Sequence, residues 1–143
     1  MYFVLNAQYS TSSNIGRYDN LVDTLESADR LKWSEWYYGP QQRILTSLKT
    51  RILRNLGVFD KGSIIAAFQR IEEDRIKRKY RKTHRTFQLE DLYIYSLTGD
   101  FDKYLDKAQR NTFSYGFEGS YNDVSSVAGN TNVKTKRVIY NEL

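Results

Sequence analysis

The stretch PQQRILTSLKTRILRNLG, residues 40–57, carries the most regular apolar spacing in the chain. Ile44, Leu45, Leu48, Ile52 and Leu56 recur three or four residues apart, and Arg43, Arg51 and Arg54 fall off that stripe. Spacing of this kind presents one side of an α-helix to a core. Pro40 suits the first helical position, where a missing N–H costs nothing, and Gly57 accepts the left-handed conformation that ends a helix. The stretch reads as a helix over 40–56.

The flanking sequence reads the same way. Residues 19–38 follow Asp19 or Asn20 as a cap, with Leu21, Val22, Leu25, Ala28 and Trp36 as an apolar stripe that Asp29 and Lys32 interrupt. Residues 63–82 follow Asp60 or Ser63 and turn Ile64, Ile65, Phe68, Ile71, Ile76 and Tyr80 inward. A fourth helix is expected over 87–97, with Leu89, Leu92, Tyr93 and Leu97, and a fifth over 101–110, with Phe101, Tyr104, Leu105 and Ala108. Short loops favour antiparallel neighbours. The expected core therefore sets Ile44, Leu45, Leu48, Ile52 and Leu56 against Leu21, Leu25, Phe68 and Ile71. The fold class is mainly α: a small bundle of four to five helices over 19–110.

Extended segments flank the bundle. Residues 1–18 form an N-terminal arm and loop, in which Tyr2, Phe3, Val4 and Leu5 suit a short strand. Residues 111–143 hold 15 Gly, Ser, Asn or Thr among 33 and show no helical period. They read as an extended C-terminal tail, with Val138, Ile139 and Tyr140 as its apolar anchor. A polar tail of that length is disordered or is ordered by a partner, and it spends its ordering entropy on docking.

Composition narrows the chemistry. The chain has 143 residues, a net charge of +5, no Cys, one His and 12 Tyr. Without Cys there is no disulfide framework, thiolate metal site or thiol nucleophile. No apolar run approaches the 18 or so residues of a membrane span, and the N-terminus lacks the basic region of a signal peptide. The charge is unevenly spread: residues 1–40 carry −2, residues 41–87 carry +9 and residues 88–143 carry −2.

The basic middle culminates in Arg75, Lys77, Arg78, Lys79, Arg81, Lys82 and Arg85, interleaved with Tyr80, His84 and Phe87. Such a cluster suits an acidic protein surface or a phosphate backbone. It also suits a solvated helix end, where cations complement the dipole and Glu72, Glu73 and Asp74 supply pairs worth about 0.2–0.5 kcal/mol each. No helix-turn-helix, zinc-finger or RNA-recognition signature accompanies it, so any nucleic-acid contact would be nonspecific. Trp33, Trp36, Tyr37 and Tyr38 form an aromatic cluster in which Tyr37 and Tyr38 are the better candidates for exposure. The expected partner-binding residues are Arg75, Arg78, Lys79, Arg81, Lys82, Tyr37, Tyr38, Lys136, Arg137, Val138, Ile139 and Tyr140.

No catalytic residues, metal ligands or cofactor are assigned. Asp100, Asp102 and Asp106 have neither the Gly nor the Glu that a calcium loop needs, since Leu105 and Asn111 stand in those places. Nucleophile elbows, Walker loops and dinucleotide fingerprints are missing.

A bundle over 19–110, followed by a tail ending Lys134-Thr135-Lys136-Arg137-Val138-Ile139-Tyr140, resembles the layout of the head-to-tail connector (adaptor) proteins of tailed bacteriophages. The resemblance implies a non-enzymatic virion component, made in the host cytoplasm. It would form a homo-oligomeric ring and dock its tail on a portal, a tail or a neighbouring subunit, with no membrane contact. Two other readings stay open: a basic accessory protein that binds nucleic acid, and a small phage-encoded inhibitor of a host protein.

Overall fold

Ile44, Leu48 and Ile52 are four residues apart. Four is an even number, so these side chains share one face of a strand as readily as one face of a helix. Thr46 and Thr50 lie on that same strand face, and β-branched residues favour a pleated ladder. The computed structural model shows that the chain takes this second course. It describes residues 1–25 and 28–140; Glu26, Ser27 and residues 141–143 of the expected first helix and tail lie outside them, as do the side chains of Ala28 and Asp29.

The strands in chain order are β1 (Tyr2–Thr11), β2 (Ile15–Gly16), β3 (Thr24–Leu25), β4 (Ala28–Leu31), β5 (Trp33–Tyr38), β6 (Gln42–Ile52), β7 (Lys61–Lys79), β8 (His84–Tyr104), β9 (Thr112–Asn132) and β10 (Val138–Tyr140). The one helix among the described residues is α1 (Tyr18–Leu21), a single turn. Eight strands form one sheet in the order β1-β6-β7-β8-β9-β10, with β5 added to β7 and β2 to β5; β3 and β4 pair separately. Short connections between β6, β7, β8, β9 and β10 make consecutive antiparallel hairpins. Tyr2 lies beside Arg51 and Ser12 beside Gln41, so β1 runs opposite to β6.

The mainly-α bundle is therefore overturned. None of the helices expected over 19–38, 40–56, 63–82, 87–97 or 101–110 forms: those residues lie chiefly in β5, β6, β7 and β8. Ile64, Phe68, Ile76 and Tyr80 are again separated by multiples of four, which helical and strand periods both accommodate. Tertiary pairing decided the matter, because each ladder satisfies backbone groups that a lone strand would leave to water. The expected arm is not an arm either, since β1 is hydrogen-bonded into the sheet. Nor are residues 112–132 a tail held by another chain: they are β9, beside β8 of the same chain. The sequence there does alternate, with Phe113, Tyr115, Phe117 and Tyr121 on odd positions and Ser114, Gly116, Glu118 and Ser120 between them.

The expected core is also absent. Among the described residues no hydrophobic side chain is buried. The described positions that are buried are Gly39, Gly62, Gly99 and Gly129. Ile44, Leu48 and Leu56 are exposed.

The chain divides into two units. Unit I comprises residues 1–9, 44–70 and 93–123, and unit II comprises the described residues of 10–43, 71–92 and 124–143. Unit I is tied across its strands by rings. Phe101 lies 4.9 Å from Phe59, 5.4 Å from Tyr115 and 6.2 Å from Phe117, and Phe68 lies 5.2 Å from Tyr95. Phe117 crosses Gly99 so closely that a Cβ there would sit 2.5 Å from the ring, so only glycine admits this packing.

Candidate functional site

Strand β5, WSEWYY, builds the chemically densest surface of unit II. Its partners on β7 are Tyr38↔Arg75, Tyr37↔Ile76, Trp36↔Lys77, Glu35↔Arg78 and Trp33↔Lys79, with an irregularity between Trp33 and Glu35. Strand alternation sends Glu35 and Tyr37 to one face and Trp36 and Tyr38 to the other. The irregularity returns Trp33 to the side of Trp36, where the two rings meet edge to face at 4.6 Å. Gly39, with φ +98°, ends β5; its N–H donates to the Asp74 carbonyl, and a Cβ would crowd Ser13 O at 3.2 Å.

On the first face Glu35 clamps two arginines. Arg78 Nη2 donates to Glu35 Oε1 at 2.8 Å, Arg85 Nε donates to Oε2 at 2.7 Å and Arg85 Nη2 donates to Oε1 at 3.0 Å. The hydrogen bonds from Arg85, then those from Arg78, pull the Glu35 carboxyl down to about 2, against a burial cost that works the other way. The same bonds raise the Arg85 guanidinium. Arg78 Nη1 also donates to the Lys82 carbonyl, which ties the clamp to the turn between β7 and β8.

On the second face the cations have no such clamp. Lys77, Lys79, Lys82 and His84 are exposed. With Trp33 and Thr86 they line a hollow of about 320 Å³. Trp36, Tyr38, Arg75, Lys77, Thr86 and Gln88 help to line a second hollow of about 260 Å³. Arg75 sits 5.9 Å from the Tyr38 ring and pairs with Glu73 at 3.4 Å and Glu90 at 3.7 Å. Arg17 lies 5.6 Å from the Trp36 ring and 5.8 Å from that of Tyr38, and donates to the Tyr38 hydroxyl at 3.0 Å.

The twelve residues expected to bind a partner all fall in unit II, though not on one face. Tyr38, Arg75 and Lys79 belong to the ring-and-lysine face. Tyr37 and Arg78 are on the other, half-buried, with Arg78 committed to Glu35. Arg81, at φ 56°, and Lys82 are exposed in the turn, and Arg81 stands over the Tyr80 ring at 5.4 Å. Lys136, also with positive φ, is in the turn before β10. Val138, Ile139 and Tyr140 pair with Thr131, Asn130 and Gly129 of β9, and Arg137 borders a hollow with His84 and Ile139. The anchor expected to reach another chain thus extends its own sheet.

Sequence reasoning left Trp33, Trp36, Lys77, His84, Glu35 and Arg85 out of the site. The signal was the density of rings around Glu35 in WSEWYY, but the irregularity between Trp33 and Glu35 breaks the period of two, so the sequence alone does not set Trp33 beside Trp36. Among the described residues no three His, Asp or Glu side chains converge to hold a metal ion, and no helix is long and apolar enough to cross a membrane. Asp102 accepts the Ser114 hydroxyl, and Asp106 accepts the Arg110 N–H.

No family model matches this chain, and the comparisons with curated proteins and with solved structures gave no match.

Proposed function

We propose that the protein is a non-enzymatic assembly subunit whose sheet is completed by further copies of itself. The observation that carries this is exposure. The chain exposes 10570 Å², whereas a compact protein of 16.9 kDa exposes about 7,700 Å², and two separate half-size bodies expose about 9,300 Å². Even the second comparison leaves about 1,300 Å² in excess, more than the roughly 800 Å² each partner gives to a standard interface.

Unit I supports the choice of a second copy. Strand β1, YFVLNAQYST, is exposed along its whole length, has β6 as its one neighbour and holds no charge and no proline. Soluble sheets normally protect such an edge with lysine, proline or a covering element. An unprotected edge pairs with another strand, and in a self-assembling protein that strand comes from a neighbouring copy. The phage-connector reading rested on a helical bundle and loses that support; the assembly role it implied now stands on exposure instead.

Sedimentation velocity across micromolar concentrations tests the reading. Concentration-dependent oligomers are expected, together with loss of hydrophobic-dye binding as they form. A monodisperse monomer that binds no dye would overturn it.

A further inference from the structure

We infer that the ring-and-lysine face of unit II binds single-stranded nucleic acid, independently of the self-assembly assigned to unit I. The argument begins with register. On this face Trp36 stands opposite Lys77 and Tyr38 opposite Arg75, and Trp33 is paired with Lys79. Each ring is therefore next to a cation across one backbone ladder, within the roughly 4.5–5.5 Å that separates cross-strand Cβ atoms. A base stacks on a ring and its phosphate meets the adjacent cation, the two contacts from which sequence-tolerant single-strand sites are made.

The rings, and not the spacing of the cations, select the form of the nucleic acid. Arg75, Lys77 and Lys79 are two residues apart, so along the strand they advance about 6.6–6.8 Å per step. A duplex strand rises about 3.4 Å per phosphate along its axis, but its backbone winds around that axis and its neighbouring phosphates stand farther apart, so the spacing suits a duplex strand as well as an extended one. The rings make the choice: an unstacked chain can turn its bases onto Trp33 and Trp36, with Arg17 at the Trp36 ring adding a second cation. A duplex would offer phosphates but leave the rings unused.

Accessibility agrees with this. The two hollows beside the rings measure about 260 and 320 Å³ and share Lys77 and Thr86. Lys77, Lys79 and Lys82 project into solvent. Arg75 pairs with Glu73 and Glu90, so the phosphate contacts fall to the lysines beside it, and Glu35 is occupied on the opposite face.

The chain has two tryptophans and both are in this face, so intrinsic fluorescence reports on it directly. The full-length protein is titrated with a twelve-residue oligothymidylate, following tryptophan quenching and the anisotropy of the labelled oligonucleotide. Quenching with saturable binding is expected. Phosphate contacts by Lys77, Lys79 and Lys82, the three lysines at the hollow beside Trp33, give a log–log salt slope near −2, about a 20-fold loss of affinity between 50 and 200 mM salt. Trp36→Ala should weaken binding about 5- to 150-fold, the range found for one base–ring stack. Lys77→Gln, which leaves the aromatic surface and strand intact, should lower the slope by about 0.7, and Lys77→Arg should restore it. The proposal is overturned by no binding, by tighter binding to a duplex of equal charge, or by base-free polyphosphate binding as tightly without quenching. Oligomerisation measured on the same samples separates this result from that of the assembly reading.

Discussion

Units I and II are built on the same kind of ladder and are held across it by different forces. In unit I ring-on-ring contacts predominate, Phe101 with Phe59, Tyr115 and Phe117, Phe68 with Tyr95, and Tyr95 with Tyr121 at 6.4 Å, with few ionic ties such as Lys103 to Asp60 and Lys61 over Tyr104. In unit II ionic and ion-on-ring ties predominate, the Glu35 clamp and Arg17 and Arg75 against Tyr38, beside two ring pairs, Trp33 with Trp36 and Phe87 with Tyr140. Ring pairs add to burial and are strongest when water is excluded, so unit I gains when another surface covers it. Charged hydrogen bonds and guanidinium–ring contacts hold with one side wet, so unit II keeps its face while remaining open to solvent. One unit is suited to being covered and the other to meeting a charged ligand.

The largest break in this contrast should come at Phe101. Phe101→Ala removes three ring contacts at once, and at about 0.5–1.5 kcal/mol per aromatic pair plus lost burial it should cost about 2–4 kcal/mol in urea unfolding. If the loss is under 1 kcal/mol, rings do not hold unit I.

Glu35→Gln tests unit II. It leaves Arg78 and Arg85 half-buried with no carboxylate between them, and should cost about 1–3 kcal/mol at pH 7. The pH dependence sharpens the test. Glu35 is held at about 2 in the folded chain against an ordinary 4.5, so its contribution is complete above pH 4.5 and is lost as pH falls from there towards 2. Melting temperatures of wild type and Glu35→Gln should therefore converge on acidification through that window. A constant gap down to pH 2 would show that the clamp is not electrostatic.

The smallest effect is expected at Leu48. It is 44% exposed, so Leu48→Ala should change the stability of the dilute monomer by less than about 1 kcal/mol, unlike the 2–5 kcal/mol of a core leucine. The same variant should shift self-association to higher concentration by sedimentation. A large loss in the dilute monomer would mean that the face of β6 bearing Leu48 is covered within one chain.

Parts of the site were legible without the fold. The density of cations over 75–85, the aromatic cluster of 33–38 and the apolar triplet 138–140 stand out in composition alone, and all three lie in unit II. Residues 33–38 and 75–79 are some forty apart in sequence, and only the β5–β7 register sets a ring opposite each cation. Glu35 carries no sign of its role either. Its carboxylate is shared between Arg78 and Arg85, whose positions depend on the turn at 80–83.

The sequence by itself determined charge, ring content, the absence of thiol chemistry and the positions of Gly39, Gly57 and Pro40 as breaks. It did not determine the period. Apolar residues at intervals of four satisfy a helix and a strand equally, and helix propensity differs from strand propensity by well under a kcal/mol per residue for most of these side chains. Tertiary structure decided between them, because β6 through β9 satisfy one another's backbone groups over ladders of up to 21 residues. That cooperative gain is invisible in any one segment, and it outweighs the local preference of each.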